Sequence, residues 1–197
     1  MKVLAAKFYA IFGKETEMSR IGKKPIDIPQ TVKIDIKESA VKVKGPLGEL
    51  SYLLPDGIKA SVDNGKVIVE RGSDLQKDRA LHGLVRSLVF NMVNGVSQGY
   101  KKQLEIKGVG YRAQAKGSKI TFTLGYSHPI EFELPAGIAA ATDDKMTSIT
   151  LSGVEKQLLG QVAANIKKLR APDVYKGKGV RFVGERLKLK AGKTGKK

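Results

Sequence analysis

The sequence predicts an α+β fold of two tandem duplicated small domains, each an antiparallel β-sheet packed with one helix, plus a basic C-terminal tail. Three observations predict this fold: short alternating β-type segments, one helical stripe in each half, and a motif that occurs twice. The motif reads Leu54-Pro-Asp-Gly-Ile58 and then Leu134-Pro-Ala-Gly-Ile138. Because aromatic residues make up only 6% of the chain and Trp is absent, two small cores are favoured over one large core.

Alternation of apolar and polar residues predicts the strands of the first half. Val or Ile at positions 32, 34, 36, 41 and 43 alternates with Lys and Asp, which indicates a sheet with one buried and one solvated face. Asp63-Asn-Gly-Lys66 predicts a tight hairpin, because Asn and Gly tolerate the positive φ of such turns. A β-type run at Val67–Val69 follows the turn.

A helix is predicted after these strands. Ser73 or Asp74 is expected to cap its start, and Asn94-Gly95 to end it. The 3-4 spacing of its apolar residues indicates one buried stripe, made of Leu81, Leu84, Val85, Leu88, Val89 and Met92.

The second half repeats the plan. Lys116-Gly-Ser-Lys119 is expected to turn between two strands, and a β-type run at Ile149–Leu151 precedes the second helix. Ser152 and Glu155 fit a capping box, and Pro172 is expected to end the helix. The predicted buried stripe of this helix is Leu158, Leu159, Val162, Ala163, Ile166 and Leu169.

These elements divide the chain into four segments. Residues 18–98 form the first α+β domain, 99–175 the second, and 176–197 a basic tail rich in Gly and Lys. Residues 1–17 are an extension of unclear role, since their apolar core is too short for a secretory signal. An upstream start codon or a loose terminus is the favoured interpretation of this extension, and a targeting or contact peptide is the alternative.

The charge balance indicates a polyanionic partner. Lys and Arg total 36 against 19 Asp and Glu, a net charge of +17 that folding does not need. No apolar run is long enough to span a membrane, and no long basic amphipathic helix suggests binding to a membrane surface. The absence of Cys excludes disulfides and thiolate metal sites.

The segment Pro172-Asp-Val-Tyr-Lys-Gly-Lys-Gly-Val180 is the strongest candidate for RNA binding. Its lysines can contact phosphates, its glycines allow close backbone approach, and its Tyr can stack on a base. From 176 to 197, nine basic residues and one acidic residue give +8. A solvated, disordered tail is the alternative for this stretch.

Two further segments are candidates with structural alternatives. Lys107-Gly-Val-Gly-Tyr-Arg112 suits a phosphate contact, or a bulge or turn with Tyr111 in the core. Gly125-Tyr-Ser-His-Pro129 suits an RNA-contacting loop, or a plain turn. Catalysis is not expected, because two His, no Cys and no nucleotide-binding or hydrolase motif leave no catalytic set and no cofactor site.

From Met18 to Lys197 the chain resembles the bacterial-type family of large-subunit ribosomal protein six. The resemblance rests on motifs in the family's order, the last of which is highly specific. They are Ser19–Pro25, Lys44–Gly48, Gly108–Ala113, Gly125–Pro129, Leu134–Ile138 and Pro172–Val180.

The resemblance implies a structural, non-enzymatic protein that binds large-subunit (23S-type) rRNA, mainly through its second domain. It implies a place near the stalk base and the factor-binding region, beside other ribosomal proteins, with no membrane, small-molecule substrate or cofactor. A cytoplasmic ribosome of bacterial type is expected, and an organellar ribosome is the alternative. The residues implied to face rRNA are Tyr111, Arg112, Tyr126, His128, Tyr175, Lys176, Lys178 and Arg181.

Two other functions remain open on the sequence. A free-standing RNA- or DNA-binding regulator would explain the charge, although no helix-turn-helix or RNP-type motif is present. An RNA-modifying enzyme would explain it too, although no cofactor motif is present.

Overall fold

A computed structural model of the chain describes residues 21–37 and 39–192. The predicted role of residues 1–17 lies outside the described residues. Two helices follow the two sets of strands: α1 spans Gln76–Ser97 and α2 spans Lys156–Leu169. Neither of these described helices is long and apolar enough to cross a membrane.

The described residues of the first half form six strands in two three-stranded sheets. One sheet has the order β1-β6-β5 and the other β2-β3-β4. The strands are β1 Ile26–Asp27, β2 Lys33–Lys37, β3 Ala40–Gly45, β4 Gly48–Leu53, β5 Ile58–Asp63 and β6 Lys66–Arg71. Val41, Val43, Val67 and Val69 are buried on their inner faces, as the alternating pattern predicts.

The second half, as far as the structure describes it, contains seven strands. The antiparallel sheet β11-β12-β7-β13 is accompanied by a second antiparallel sheet, β10-β9-β8. The strands are β7 Tyr100–Lys107, β8 Arg112–Lys116, β9 Lys119–Thr123, β10 Ile130–Glu133, β11 Ile138–Thr142, β12 Ser148–Gly153 and β13 Gly179–Phe182. Leu104, Phe122, Leu151 and Ile166 belong to one buried core that joins both sheets and α2.

The chain divides into two compact units. The first holds the described residues up to Val43 together with Ser51–Phe90, and the second holds Lys44–Leu50 together with the described residues from Asn91 onward. The division therefore falls within β3, β4 and α1, whereas the boundary predicted from the sequence falls between α1 and β7.

Backbone geometry supports the duplication that the sequence predicts. In the two copies of the repeated motif, Leu54 N–H donates to Ser39 O and Leu134 N–H donates to Ser118 O, both at 2.8 Å. Gly57 and Gly137 take φ of 84° and 86°, a conformation that glycine adopts at no steric cost. The prediction of two tandem α+β domains is confirmed.

The two predicted hairpins are present. Asp63 pairs with Lys66 across Asn64 and Gly65, whose φ values are 49° and 73°. Lys116 pairs with Lys119 in the same manner. These tight turns fix the register of β5 with β6 and of β8 with β9.

Helix α1 departs from its prediction in its start, its end and its buried face. It begins at Gln76, so Leu75 rather than Ser73 or Asp74 precedes its first residue. It continues through Asn94-Gly95 to Ser97, because the buried Gly95 is needed for packing: a Cβ there would overlap Val154 O. Leu84 is 51% exposed rather than buried. The buried face instead consists of His82, Val85, Arg86, Val89, Met92, Val93 and Val96.

The predicted capping box of α2 is wrong. Ser152 lies within β12, and Glu155 is the N-cap residue but makes no side-chain capping hydrogen bond. The strand continues to Gly153, so Ser152 is held in the sheet and cannot reach the first turn. Leu159, Val162, Ala163 and Ile166 are buried as predicted, whereas Leu158 and Leu169 at the margins are partly buried.

The segment predicted as a tail from residue 176 contains part of the second sheet. Strand β13 pairs with β7 from Gly179↔Lys107 to Phe182↔Leu104. Val180 is fully buried and belongs to the core of the second half. Charge alone suggested a solvated stretch here, but the four residues of β13 pair with β7 and none of them is fully exposed.

Candidate nucleic-acid interface

A basic groove lies where β7 ends. It is open, has a volume of about 610 Å³, and brings together residues from three separate segments of the second half. Val109 projects at its edge and is 92% exposed. The lining residues are Glu105, Ile106, Lys107, Gly108, Val109, Thr147, Ser148, Lys176, Lys178 and Val183. Two of the residues implied to face rRNA, Lys176 and Lys178, thus share one groove with the glycine turn after β7.

The loop from Asp173 to Lys178, called the lysine loop from here on, is held in shape by Asp173. The backbone N–H of Asp173 donates to Lys178 O, and that of Gly177 donates to Asp173 O, both at 2.9 Å. One carboxylate oxygen of Asp173 accepts from the Lys176 N–H at 3.1 Å. The loop therefore closes on itself while both lysine side chains remain exposed.

Two further contacts attach this loop to its surroundings. Val180 N–H donates to Arg170 O at 2.8 Å, which joins β13 to the end of α2. On the other side, Lys190 N–H donates to Val174 O at 2.8 Å, and Leu187 and Leu189 approach Gly177. The basic residues after β13 therefore run back along the loop up to at least Lys190.

A second cluster joins two loops to the C-terminal end of α2. The Tyr126 hydroxyl donates to Leu169 O at 2.9 Å, and the Arg170 guanidinium stacks on the Tyr126 ring, 5.0 Å from its centroid. Tyr111 is partly buried against the core, and a Cβ on Gly125 would lie 2.8 Å from its ring. Interaction with the Tyr126 side chain, and then with Tyr111, raises the pKa of Arg170.

The other candidate residues are not brought into these clusters. Arg112 and His128 are exposed, and the one hydrogen bond of the His128 ring within the described residues links it to its neighbour Ser127 at 3.4 Å. Tyr175 is 57% exposed beside Lys176. Arg181 is partly buried in an ion pair with Glu105, so its guanidinium already has an anionic partner.

Two residues of the site do not stand out in the sequence: Arg170 belongs to no candidate segment, and Lys107 is only the start of a motif. Arg170 follows the last turn of α2 directly, where a cation is usually interpreted as a partner of the helix dipole. Only the fold shows that the end of α2 lies beside Tyr126 and that Lys107 faces the lysine loop.

Glu185 holds the end of β13 against α2. Its carboxylate pairs with Lys167 and accepts from Phe182 N–H at 3.1 Å. The Lys167 ammonium also lies 5.0 Å from the centroid of the Phe182 ring. The hydrogen bond from Lys167 and then the one from Phe182 N–H lower the pKa of Glu185.

We expect this contact to make stability depend on pH. Because the folded-state pKa of Glu185 is depressed, its contribution is present above its ordinary pKa and is lost as pH falls below that value. Glu185→Gln should lower the melting temperature at neutral pH, and its melting temperature should converge with that of the parent protein at an acidic pH below the folded-state pKa of Glu185. Glu49→Gln, which removes an exposed carboxylate elsewhere, is the matched control. An equal gap at both pH values would contradict the assignment.

The arrangement offers binding groups and no catalytic set. Among residues 21–37 and 39–192, no group of three His, Asp or Glu side chains is placed to hold a metal ion. The ammonium groups, exposed aromatic rings and glycine turns found here are suited to contacting phosphates and bases.

Comparison with known proteins assigns the family. The sequence model described as "Ribosomal protein L6" matches residues 28–99 and 107–183, one segment in each half. A protein named large ribosomal subunit protein uL6 from Thermodesulfovibrio yellowstonii is 59% identical over 91% of this chain and all of the relative. Those from Koribacter versatilis and Geobacter sulfurreducens, also covered completely, are 54% and 49% identical over the same share of this chain.

The two segments matched by the family model cover most of both domains and include the segment that forms β13. The family consists of structural proteins without enzymatic activity. The chain belongs to the ribosomal protein L6 family.

Proposed function

We propose that this chain is a structural constituent of the large ribosomal subunit that binds its 23S-type rRNA mainly through the second domain. The observation that carries this proposal is the basic groove with Lys107, Lys176 and Lys178 on its walls. Three lysines from two separate segments line it, and phosphate oxygens are the ligands that such an arrangement fits.

The glycine turns allow RNA to approach closely. Gly108 and Gly110 flank the exposed Val109, with φ of 157° and 75°. Nothing lies within 4 Å of the position a Cβ would take on Gly110, so a ribose or phosphate can reach the backbone on that side of the turn. The corresponding space beside Gly108 is filled by the ring of Tyr111. Val109 itself offers apolar contact to a ribose or a base.

Each remaining candidate residue is assigned a role according to its exposure. The free face of Tyr175 is available to stack on a base, and Arg112 and His128 can reach phosphates from their exposed positions. Tyr111, Tyr126 and Arg181 are already engaged within the protein, so they hold the loops in position and offer RNA only their remaining exposed atoms.

The position within the particle belongs to the same proposal. The named relatives are large-subunit proteins, and the family resemblance implies a site near the stalk base and the factor-binding region of a cytoplasmic ribosome, beside neighbouring ribosomal proteins. Crosslinking residues 172–181 in the purified particle and mapping the joined nucleotides would test that position.

Lys176→Ala combined with Lys178→Ala should weaken binding to isolated large-subunit rRNA. Losing two phosphate contacts should reduce the magnitude of the log–log salt slope by about 1.4–1.8. The measurement is the dissociation constant across a series of salt concentrations, with melting temperature recorded in parallel.

Lys42→Ala combined with Lys44→Ala is the matched control, because these exposed lysines have the same spacing on β3. This pair should leave the slope nearly unchanged. An unchanged slope for the Lys176 and Lys178 variant would show that those lysines are merely solvated, and the proposed groove would then be wrong.

A further inference from the structure

The four-stranded sheet of the second half has an inner and an outer face. Leu104 and Ile106 of β7 point into the core, so the alternating residues of that strand point to the opposite side. The outer residues of β7 are Lys101, Gln103, Glu105 and Lys107. Lys101, Gln103 and Lys107 are exposed and Glu105 is partly buried, so this face is open along the strand.

The neighbouring strands present small side chains on the same face. Ala139 of β11 pairs with Ser152 of β12, which in turn pairs with Lys101 of β7. Ala141 pairs with Thr150, which in turn pairs with Gln103. Ala139 and Ala141 are exposed. Because no long side chain stands on β11 or β12 here, a flat ligand can lie directly against the sheet.

The equivalent face in the first half is different. There Lys59 pairs across the strands with Glu70, and Asp63 with Lys66. Lys66 also forms a 3.3 Å ion pair with Asp27. That face therefore balances its own charges, as expected of a surface with no charged partner.

On the second-half face, only one acidic residue stands among the outer positions of the four strands. This residue, Glu105, is already neutralised by Arg181 of β13. Lys101 and Lys107 form no ion pair within the described part of the chain, and they stand at the two ends of β7, about 20 Å apart at the usual rise of a strand.

A groove adjoins the face at each end. The basic groove described above contains Lys107, Ser148 and Lys178. The groove at the other end has a volume of about 450 Å³ and includes Lys101, Ala139 and Ser152 among its lining residues. The face therefore connects two depressions, each of which has a lysine at its entrance.

We propose that the outer face of the sheet β11-β12-β7-β13 is a second RNA contact, over which one sugar-phosphate strand passes from the basic groove toward Lys101. This inference rests on the proposed rRNA binding and extends it. Lys101 and Lys107 neutralise phosphates at the two ends, and the alanine, serine and threonine side chains admit the ribose backbone between them. The charge of the face favours RNA over a protein partner.

Two full-length variants test the contact against isolated large-subunit rRNA. Ala141→Glu places an anion on β11, level with Gln103 of β7 and beside the proposed path of the RNA. It should weaken binding at least about threefold, because an added like charge repels phosphate. Lys101→Gln should reduce the magnitude of the salt slope by about 0.7–0.9, the value of one phosphate contact.

The first half supplies controls on β5: Ser61 occupies the position there that Ala141 occupies on β11, and Lys59 is an exposed lysine on the same face. Ser61→Glu and Lys59→Gln make the same charge changes on β5, and neither should alter the affinity or the slope. Equal melting temperatures for each matched pair would show that folding is not the cause of a difference. The same loss of affinity in the first-half variants would overturn the proposal, since a general charge effect would then explain it.

Further outcomes separate this inference from the proposed function. If the Lys176 and Lys178 variant loses affinity while Ala141→Glu and Lys101→Gln bind like the parent protein, the sheet contact is wrong and the groove stands. If Ala141→Glu binds isolated rRNA normally but is excluded from the assembled subunit, a protein covers the face and the RNA assignment is overturned. If the parent protein does not bind the rRNA, the proposed function itself fails.

Discussion

Replacing Gly179 with alanine is expected to destabilise the second domain strongly and to remove most of its affinity for rRNA. Gly179 has a φ of 141°, and a Cβ there would lie 2.7 Å from the backbone oxygens of Arg170 and Ala171. Backbone atoms cannot move aside as a flexible side chain can, so β13 must shift away from the end of α2. Burial of Val180 and the hydrogen bond from Val180 N–H to Arg170 O would be lost together.

The expected loss is about 2–4 kcal/mol, the range for a steric clash combined with a strained backbone. For a chain of this length, such a loss corresponds to a fall in melting temperature of about 5–15 °C. Thermal denaturation measures the first effect, and rRNA affinity well below the melting transition measures the second. The affinity falls because Lys176 and Lys178 lie in the loop that Gly179 ends.

Gly184→Ala is the control that separates clash from strain. Gly184 also has a positive φ, 80°, but no atom lies within 4 Å of the position its Cβ would take. Its replacement should cost about 1–2 kcal/mol, the penalty for the left-handed conformation alone. Similar losses for the two variants would show that the close approach at Gly179 contributes nothing of its own.

The fold class could be predicted because local signals agreed with one another. The Asn64-Gly65 turn, the alternating valines and the repeated Leu-Pro-x-Gly-Ile motif each depend on short-range backbone chemistry that the sequence displays directly. The helix limits were less predictable, because tertiary packing decides them. Gly95 has the properties of a helix stop in isolation, yet it lies inside α1 since only glycine fits against Val154 O.

The candidate site was predictable only in part, for a related reason. Lys176 and Lys178 stand out in the sequence by composition, and their side chains do line one groove. Arg170 and Lys107 lie outside that motif, and β-pairing of residues 179–182 with β7 is what brings these segments together. Arg181 is a residue for which the sequence suggests more than the fold provides. Its motif suggests a cation that is free to bind RNA, but Arg181 lies opposite Glu105 in the pairing of β13 with β7 and forms an ion pair with it.

A fragment of residues 99–197 is expected to bind large-subunit rRNA, while a fragment of 19–98 binds weakly. Every buried residue of the second-half core, from Leu104 to Val180, lies within the longer fragment. The fragment lacks Lys44–Leu50 and residues 91–98 of the second compact unit, so its folding is verified separately. Its twenty basic and eight acidic residues give +12, whereas thirteen basic and nine acidic residues give the first fragment only +4. Because phosphate neutralisation dominates nonspecific and specific affinity alike, the fragments should differ by about tenfold or more.

Dissociation constants for the two fragments at one salt concentration, with circular dichroism to verify folding, test this expectation. If charge alone determined binding, the difference in affinity between the two fragments would shrink steadily as the salt concentration rises, since counterion release is the same for any array of cations. A shaped groove predicts that the longer fragment also discriminates large-subunit rRNA from an unrelated RNA of equal length. Equal affinities of two folded fragments for the rRNA would place binding in both domains alike and refute the assignment of the second domain as the main RNA-binding unit.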